Sequence, residues 1–329
     1  MAALGEFTLI DRFFRRAASN AVLGVGDDAA LVAPGAGMEL ALSVDMLVEG
    51  THFFASVAPD ALGHKTLAVN LSDMAAMGAT PRWALLAGAL PHADEVWLEA
   101  FARGFFALAD RHGVSLVGGD TTRGPLNLCV TIVGEVPAGA ALRRAGARAG
   151  DDVWVSGELG SAALALAHAL GHLRLTSPEL AACERALLTP TPRVELGIAL
   201  RGLATSAIDI SDGLLGDLAH IADASSLAAT IELDAIPRAA LLDARLATPE
   251  RELALRALLA GGDDYELCFT APAARASEVL ARGASAGVRV ARIGSMAERA
   301  ANEHAPVVVR DARGVRLERL PRAFDHFAT

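Results

Sequence analysis

Six times along this chain, aspartates stand beside glycine or a small hydroxyl residue in largely apolar surroundings. No other feature constrains the fold as much. The clusters are Gly26-Asp27-Asp28, Ser43-Val44-Asp45, Leu71-Ser72-Asp73, Gly118-Gly119-Asp120-Thr121-Thr122, Asp209-Ile210-Ser211-Asp212-Gly213 and Gly261-Gly262-Asp263-Asp264-Tyr265-Glu266. Most of them fall at expected strand ends. A carboxylate withdrawn from water is costly unless it is paired or coordinated, and few basic residues neighbour these acids in sequence. Oxygen-only donors select a hard divalent cation, Mg²⁺ or Mn²⁺, over zinc. Adjacent glycines let a polyphosphate approach backbone N–H groups. Together the clusters read as a multi-metal site for a phosphorylated ligand. Taken singly, each also reads as a turn or a helix cap, where Asp, Ser and Gly are the usual residues.

Composition narrows the setting. The 329 residues suit two domains or one large one, and 53% hydrophobic with 21% charged residues excludes a disordered chain. Mean hydropathy is high, +0.37. The most apolar stretches, Trp83–Leu90 and Ser161–Leu170, nevertheless fall short of the roughly 18–20 residues a spanning helix needs. The N-terminal stretch carries Glu6 and Asp11 and lacks the basic-then-apolar order of an export signal, so a soluble, cytoplasmic protein without a membrane partner is expected. A net charge of −10 argues against a nucleic-acid surface. Cys129, Cys183 and Cys268 are odd in number and far apart, which disfavours a disulfide framework or a cysteine zinc site.

Other chemistries find little support. Lys65 is the only lysine, and Gly63-His64-Lys65-Thr66 lacks the glycine spacing of a Walker phosphate loop. His168 and His172 are four apart without the glutamate of a zinc protease. Neither a G-x-S-x-G elbow nor a G-x-G-x-x-G turn is present.

Periodicity predicts helices over residues 7–18, 60–77, 94–112, 161–170, 177–188, 193–204 and 214–224. Strands are predicted over 21–25, 39–44, 83–90, 115–117, 126–136, 152–156, 207–210, 230–233, 265–270 and 288–295. This alternation implies an α/β or α+β fold. The Gly-, Ala- and Arg-rich stretch 137–152 is the expected domain boundary. The terminal residues 326–329 are apolar enough to dock against the fold.

Read in order, the segments resemble the thiamine-monophosphate kinase family, within the aminoimidazole ribonucleotide synthetase superfamily. The matching stretches are Gly5-Glu6-Phe7, GVGDDAAL (24–31), SVDMLVEGTHF (43–53), HKTLAVNLSDMAAMGA (64–79), GGDTTRGPL (118–126), SAIDISDGL (206–214), GGDDYELCFT (261–270) and DHFAT (325–329). They span nearly the whole chain. GGDTT is shared across the superfamily, whereas THF, DYELCFT and the terminal DHFAT are more specific.

The resemblance implies a two-domain α/β (α+β) fold. Residues 1–140 would form an ATP- and Mg-binding dimerisation domain whose four-stranded sheet closes a barrel across a homodimer, and 141–329 a C-terminal α+β domain. It also implies phosphoryl transfer from ATP to the phosphate of thiamine monophosphate, assisted by several Mg²⁺ ions. No dedicated catalytic base is expected, because the acceptor phosphate is already ionised. Asp28, Ser43, the backbone of Val44, Asp45, Asp73, Asp120, Asp209 and Asp212 resemble the family's metal ligands. Gly119, Asp120, Arg144 and Ser211 match ATP-contacting positions, and His52, Asp263 and Phe324 match substrate-contacting ones. The chain departs from the family at Asp263, where Glu is common. It departs also near Phe324, where Tyr or Trp is common, and at Ala102, where an aromatic often meets adenine. Two other readings remain open. A sister enzyme such as a selenophosphate synthetase would need an N-terminal Cys, and none precedes Cys129. A non-catalytic cation- or nucleotide-binding protein would bind metal without turning over ATP.

Overall fold

The computed structural model describes residues 5–300 and 305–324; the DHFAT segment and its expected docking lie outside them. The chain divides into two compact units. One comprises residues up to Gly139 except Ala75–Gly78; the other comprises Ala75–Gly78 and the residues from Ala140 onward.

The first unit opens with α1 (Glu6–Leu9) and a π-helical turn (Ile10–Phe14). It continues through β1 (Met38–Val48), α2 (Pro59–Ala76), β2 (Thr80–Leu90), α3 (Glu95–His112), β3 (Ser115–Arg123) and β4 (Asn127–Pro137). Its sheet has the order β1-β4-β2-β3, antiparallel except for the parallel β2–β3 pair. A parallel pair needs a crossover, and α3 supplies it. That helix forms because Leu98, Phe101, Phe105 and Leu108 recur at three- and four-residue spacing, and all four are buried. Asp94 caps it, its carboxylate accepting from the N–H groups of Val96 (2.9 Å) and Trp97 (3.2 Å). Gly113 ends it at φ 65°, a left-handed stop that glycine adopts without strain.

Strand β1 inverts the usual arrangement. Successive side chains alternate between faces, and here Leu42, Val44 and Met46 are 65%, 59% and 50% exposed. Ser43 and Asp45 take the opposite face. With Leu40 and Leu85, also exposed, the outer residues make an uncovered apolar sheet surface.

The second unit contains β5 (Asp151–Ser156), α4 (Ser161–Ala169), α5 (Ser177–Leu188), α6 (Val194–Ala199), β6 (Ser206–Ile210), α7 (Leu214–Ala224) and β7 (Leu227–Glu232). After these come α8 (Ala240–Leu246), α9 (Arg251–Ala260), β8 (Glu266–Pro272), α10 (Ala276–Ser285), β9 (Val290–Glu298) and β10 (Val307–Arg310). The sheet order is β10-β7-β9-β5-β8-β6, with only β10–β7 parallel. Val153, Val155, Ile208, Ile210, Leu218, Ile221, Ile231 and Ile293 build its core. At the head of α5, Thr176 and Glu179 form a capping box.

The mixed α/β architecture agrees with the sequence, but several elements differ. Residues 21–25 are not a strand; Leu23 makes only an isolated bridge to Leu31. The helix expected over 7–18 stops at Phe14, and Arg15 is extended at ψ 111° while its guanidinium bonds back to Asp11 at 2.9 Å. Helix 193–204 is shortened to α6, and β10 went unforeseen. The acid clusters are not chiefly at strand ends. Asp45 pairs with Val130 and Asp120 with Ala87 inside ladders, and Asp73 lies on α2, whereas the clusters 209–213 and 261–266 do stand at the end of β6 and the start of β8.

Candidate active site

In the first unit, β1 and α2 bring polar groups together. Ser43 and Asp45 are two residues apart and so share a face. Asn70 and Asp73 are three apart and so share a face of α2. The Ser43 hydroxyl donates to the Asp73 carboxylate at 2.5 Å, and the Asp45 N–H donates to the Asn70 side-chain oxygen at 3.2 Å. Asn70 is fully buried, held by its own donation to the Thr66 carbonyl at 3.1 Å. Val44, between the two ligand candidates, points to the exposed apolar face.

Past the end of β1 the chain turns back, so that the N–H of Val48 donates to Nδ1 of His52 at 3.0 Å. An accepting Nδ1 fixes the neutral ring with its proton on Nε2. His52 therefore presents a donor, the polarity a phosphate oxygen requires.

A cavity of about 810 Å³ lies in the same unit, and its lining includes Gly26, Asp27, Asp28, Gly119 and Asp120 together with Phe7, Phe14, Trp97 and Phe101. Trp97 and Phe101 stack with centroids 5.2 Å apart and planes at 9°. Gly119 has φ 148°, and a Cβ there would stand 1.8 Å from the Leu86 carbonyl oxygen, so no side chain can intrude at this wall. A lining that combines aromatic rings with acids and glycines suits a flat aromatic group joined to phosphates. Ala102 is buried and lies outside this lining, whereas Phe101, one residue earlier, forms part of it. Sequence reading missed the wall of Trp97 and Phe101. Its signal was their i, i+4 spacing on one helix.

In the second unit, Asp209 lies on β6 and is buried, and the turn after it carries Ser211 and Asp212. The carbonyl of Ser211 accepts from the N–H of Asp263 at 2.9 Å, that of Ile210 from Tyr265 at 2.8 Å, and that of Asp212 from Phe324 at 3.2 Å. Ser211, Asp212, Asp263 and Phe324 thus converge, with the Phe324 ring half exposed. Arg144 is not part of this group; it stands exposed in the irregular segment between β4 and β5.

One organising residue of the turn escaped sequence reading. A single carboxylate oxygen of Asp217 accepts from the N–H groups of Ser211, Asp212 and Gly213 at 3.1, 3.2 and 3.1 Å. Burial, and then the neighbouring Asp212 carboxylate, push Asp217 up to about 7. Its sequence signal was weak, an acid in the first turn of α7 four residues after Gly213. Asp264 also rides well above the ordinary carboxyl range, chiefly through burial, although it accepts from the Gly160 N–H at 2.9 Å.

Among the described residues no three His, Cys, Asp or Glu side chains gather tightly enough to hold a metal by themselves. The donors fit Mg²⁺ nonetheless, because that ion is commonly held by one or two carboxylates and completes its shell with water and substrate phosphates. The hydroxyl and carboxylate oxygens of Ser43, Asp45 and Asp73 are of that kind.

Residues 26–136 match the family described as AIR synthase related protein, N-terminal domain, and residues 148–304 its C-terminal domain. The chain is 44% identical over 331 residues to a thiamine-monophosphate kinase of Salmonella typhimurium, covering 99% of each. It is 40% identical to that of Haemophilus influenzae, covering 99% of this chain and 98% of the relative. Among solved structures, a thiamine-monophosphate kinase from Stenotrophomonas maltophilia superposes with a TM-score of 0.83 at 46% identity, covering 94% of this chain and 97% of that one. The structure of AaThiL complexed with AMPPCP and TMP superposes at 0.75 with 31% identity, covering 98% and 97%.

Proposed function

The chain belongs to the thiamine-monophosphate kinase family of AIR synthase related proteins, and from that membership we propose that it transfers the γ-phosphoryl group of ATP directly to the phosphate of thiamine monophosphate. The product is thiamine diphosphate, and the reaction is the last step in making it. The observation that carries the reading to this chain's own residues is the inner face of β1, where Ser43 and Asp45 meet Asn70 and Asp73 of α2.

In this reading Asp28, Ser43, the Val44 carbonyl, Asp45, Asp73, Asp120, Asp209 and Asp212 hold several Mg²⁺ ions. When bound, those ions offset the repulsion between two phosphorylated reactants and help align them. Gly119, Asp120 and Ser211 contact ATP, and Arg144 supplies a guanidinium to its phosphates. His52 donates from Nε2 to the phosphate of the substrate, Asp263 accepts from its aminopyrimidine, and Phe324 stacks on a ring. No side chain has to remove a proton, since the attacking oxygen is already ionised. The barrier is lowered by alignment and charge compensation.

Residues 1–140 are proposed as the ATP- and Mg-binding domain and 141–329 as its α+β companion. The exposed face of β1 and β2 is proposed to pair with a second copy, closing a barrel across a homodimer; Leu42, Val44 and Met46 support this as an apolar surface a lone monomer rarely leaves in water. No described helix is long and apolar enough to cross a membrane, in keeping with a proposed cytoplasmic enzyme. The test is formation of thiamine diphosphate by the purified chain with ATP, Mg²⁺ and thiamine monophosphate, beside free thiamine. Product from the monophosphate alone supports the reading. ATP binding without product would point to another acceptor.

A further inference from the structure

Two residues of the loop between α9 and β8 sit in the left-handed region without being glycine: Asp263 at φ 59° and Tyr265 at φ 49°. Each such residue is strained, so the surroundings must hold the loop in place. The bonds from the Asp263 and Tyr265 N–H groups to β6 and its turn do so, together with the Asp264 carboxylate anchored at the Gly160 N–H. Gly262 closes the loop tightly, for a Cβ there would come within 2.6 Å of the Ser211 carbonyl oxygen.

The two left-handed residues flank Asp264 and point their side chains at each other. The phenol of Tyr265 donates to Oδ1 of Asp263 at 3.0 Å. Aspartate has one fewer methylene than glutamate, and a carboxylate on a short stem has few ways to aim itself. Donation to one oxygen fixes the carboxylate plane, and a carboxylate has several lone-pair sites with which to accept an incoming N–H.

We propose that Tyr265 is a positioning residue for substrate recognition, orienting the Asp263 carboxylate toward an exocyclic amine of the acceptor's heteroaromatic ring. This rests on the reading of Asp263 as a substrate contact. Tyr265 acts on the acceptor alone, so its loss weakens acceptor binding and leaves the transfer step and ATP affinity as they were.

The full-length protein is assayed with Mg²⁺, varying thiamine monophosphate at saturating ATP and the converse, for wild type, Y265F, D263N and the double variant. Removing one hydrogen bond that orients a charged acceptor should raise the KM for thiamine monophosphate roughly 3- to 10-fold in Y265F, with kcat and the KM for ATP within about twofold of wild type. The double variant should be no worse than D263N alone. If D263N raises the acceptor KM and Y265F does not, the inference fails while the assignment of Asp263 stands. If D263N leaves the acceptor KM unchanged, both fail. A Y265F effect of equal size on both substrates would mark Tyr265 as a structural residue only.

A second measurement survives a variant that folds poorly. Tyr265 is the chain's single tyrosine, so tyrosine labelled at the ring carbon Cζ alone gives one resonance in the wild-type protein. Thiamine monophosphate should shift it and ADP with Mg²⁺ should not. A resonance that ignores thiamine monophosphate overturns the proposal.

Discussion

Removing the guanidinium of Arg193 tests whether an ion pair holds β8 where the Asp263 loop needs it. Glu266 begins β8 directly after that loop and is buried. Its carboxylate accepts from Nε of Arg193 at 2.7 Å, from the second guanidinium arm, and from the Ser156 hydroxyl at 2.5 Å. It also lies against Gly157, at φ 60°, where an added Cβ would fall 2.0 Å from the carboxylate. In R193M a buried charge would keep only a hydroxyl donor. Breaking such a pair costs about 3–5 kcal/mol. The Arg193 side chain is 21% exposed, so water replaces part of what is lost and the lower end, about 3 kcal/mol, is expected. For a unit of this size that corresponds to a fall in Tm of roughly 6–12 °C. Circular dichroism melts and urea titrations read the change. The double variant R193M/E266Q removes the stranded charge while keeping a partner for Ser156, and should recover to within about 1 kcal/mol of wild type. An R193M loss under about 1 kcal/mol, or a double variant no more stable than the single, would refute the reasoning.

Three other outcomes follow from the same geometry. D45N and D120N should each lower phosphoryl transfer by at least about 100-fold with melting curves close to wild type; near-normal turnover in either would remove that residue from the metal site. L42E places a charge in the outer face of β1 and should convert a dimer to a monomer in light scattering, an unchanged mass ruling out that face as the interface. With a folded value of about 7 against an ordinary 3.8, the Asp217 carboxyl of the native chain keeps a proton that the unfolded chain has released between about pH 4 and pH 7. Its contribution therefore falls as pH rises through that window, by on the order of 4 kcal/mol in total. Urea melts of chelator-treated protein should show this decline, and D217N should flatten it; identical slopes in both proteins would exclude Asp217 as the source.

The sequence made α2, α3 and α5 legible because their signals are local. Capping acids, glycine stops and three-to-four spacing act within a few residues. The full length of β1, which runs to Val48 and not only to residue 44, was harder to read, since Ser43 and Asp45 put polar groups on its inner face while its outward face is apolar. The metal candidates were visible as a pattern of acids, but the pairing of Ser43 with Asp73 depends on how α2 lies on the sheet. Asp217 is one acid within α7 that its sequence neighbours do not mark out, and only the turn folding back over it reveals its three N–H donors. Tyr265 and Asp263 are two residues apart, a spacing that puts side chains on one side in a strand and apart on a helix. Their contact comes from two left-handed backbone angles that no composition announces.

The alternation of β1 has a consequence for how the chain can go wrong. Sliding this strand by one residue against β4 would turn every side chain over. Leu42, Val44 and Met46 would press into Asn70 and Asp73, while Ser43 and Asp45 would surface among the apolar residues of the outer face. One slip would erase the proposed cation site and the apolar face together, so on this reading a misregistered molecule would neither turn over ATP nor dock with a correctly folded neighbour. In the proposed dimer, errors in pairing would thus exclude themselves from assembly, and only molecules with the acids turned inward would present the apolar face by which copies recognise each other.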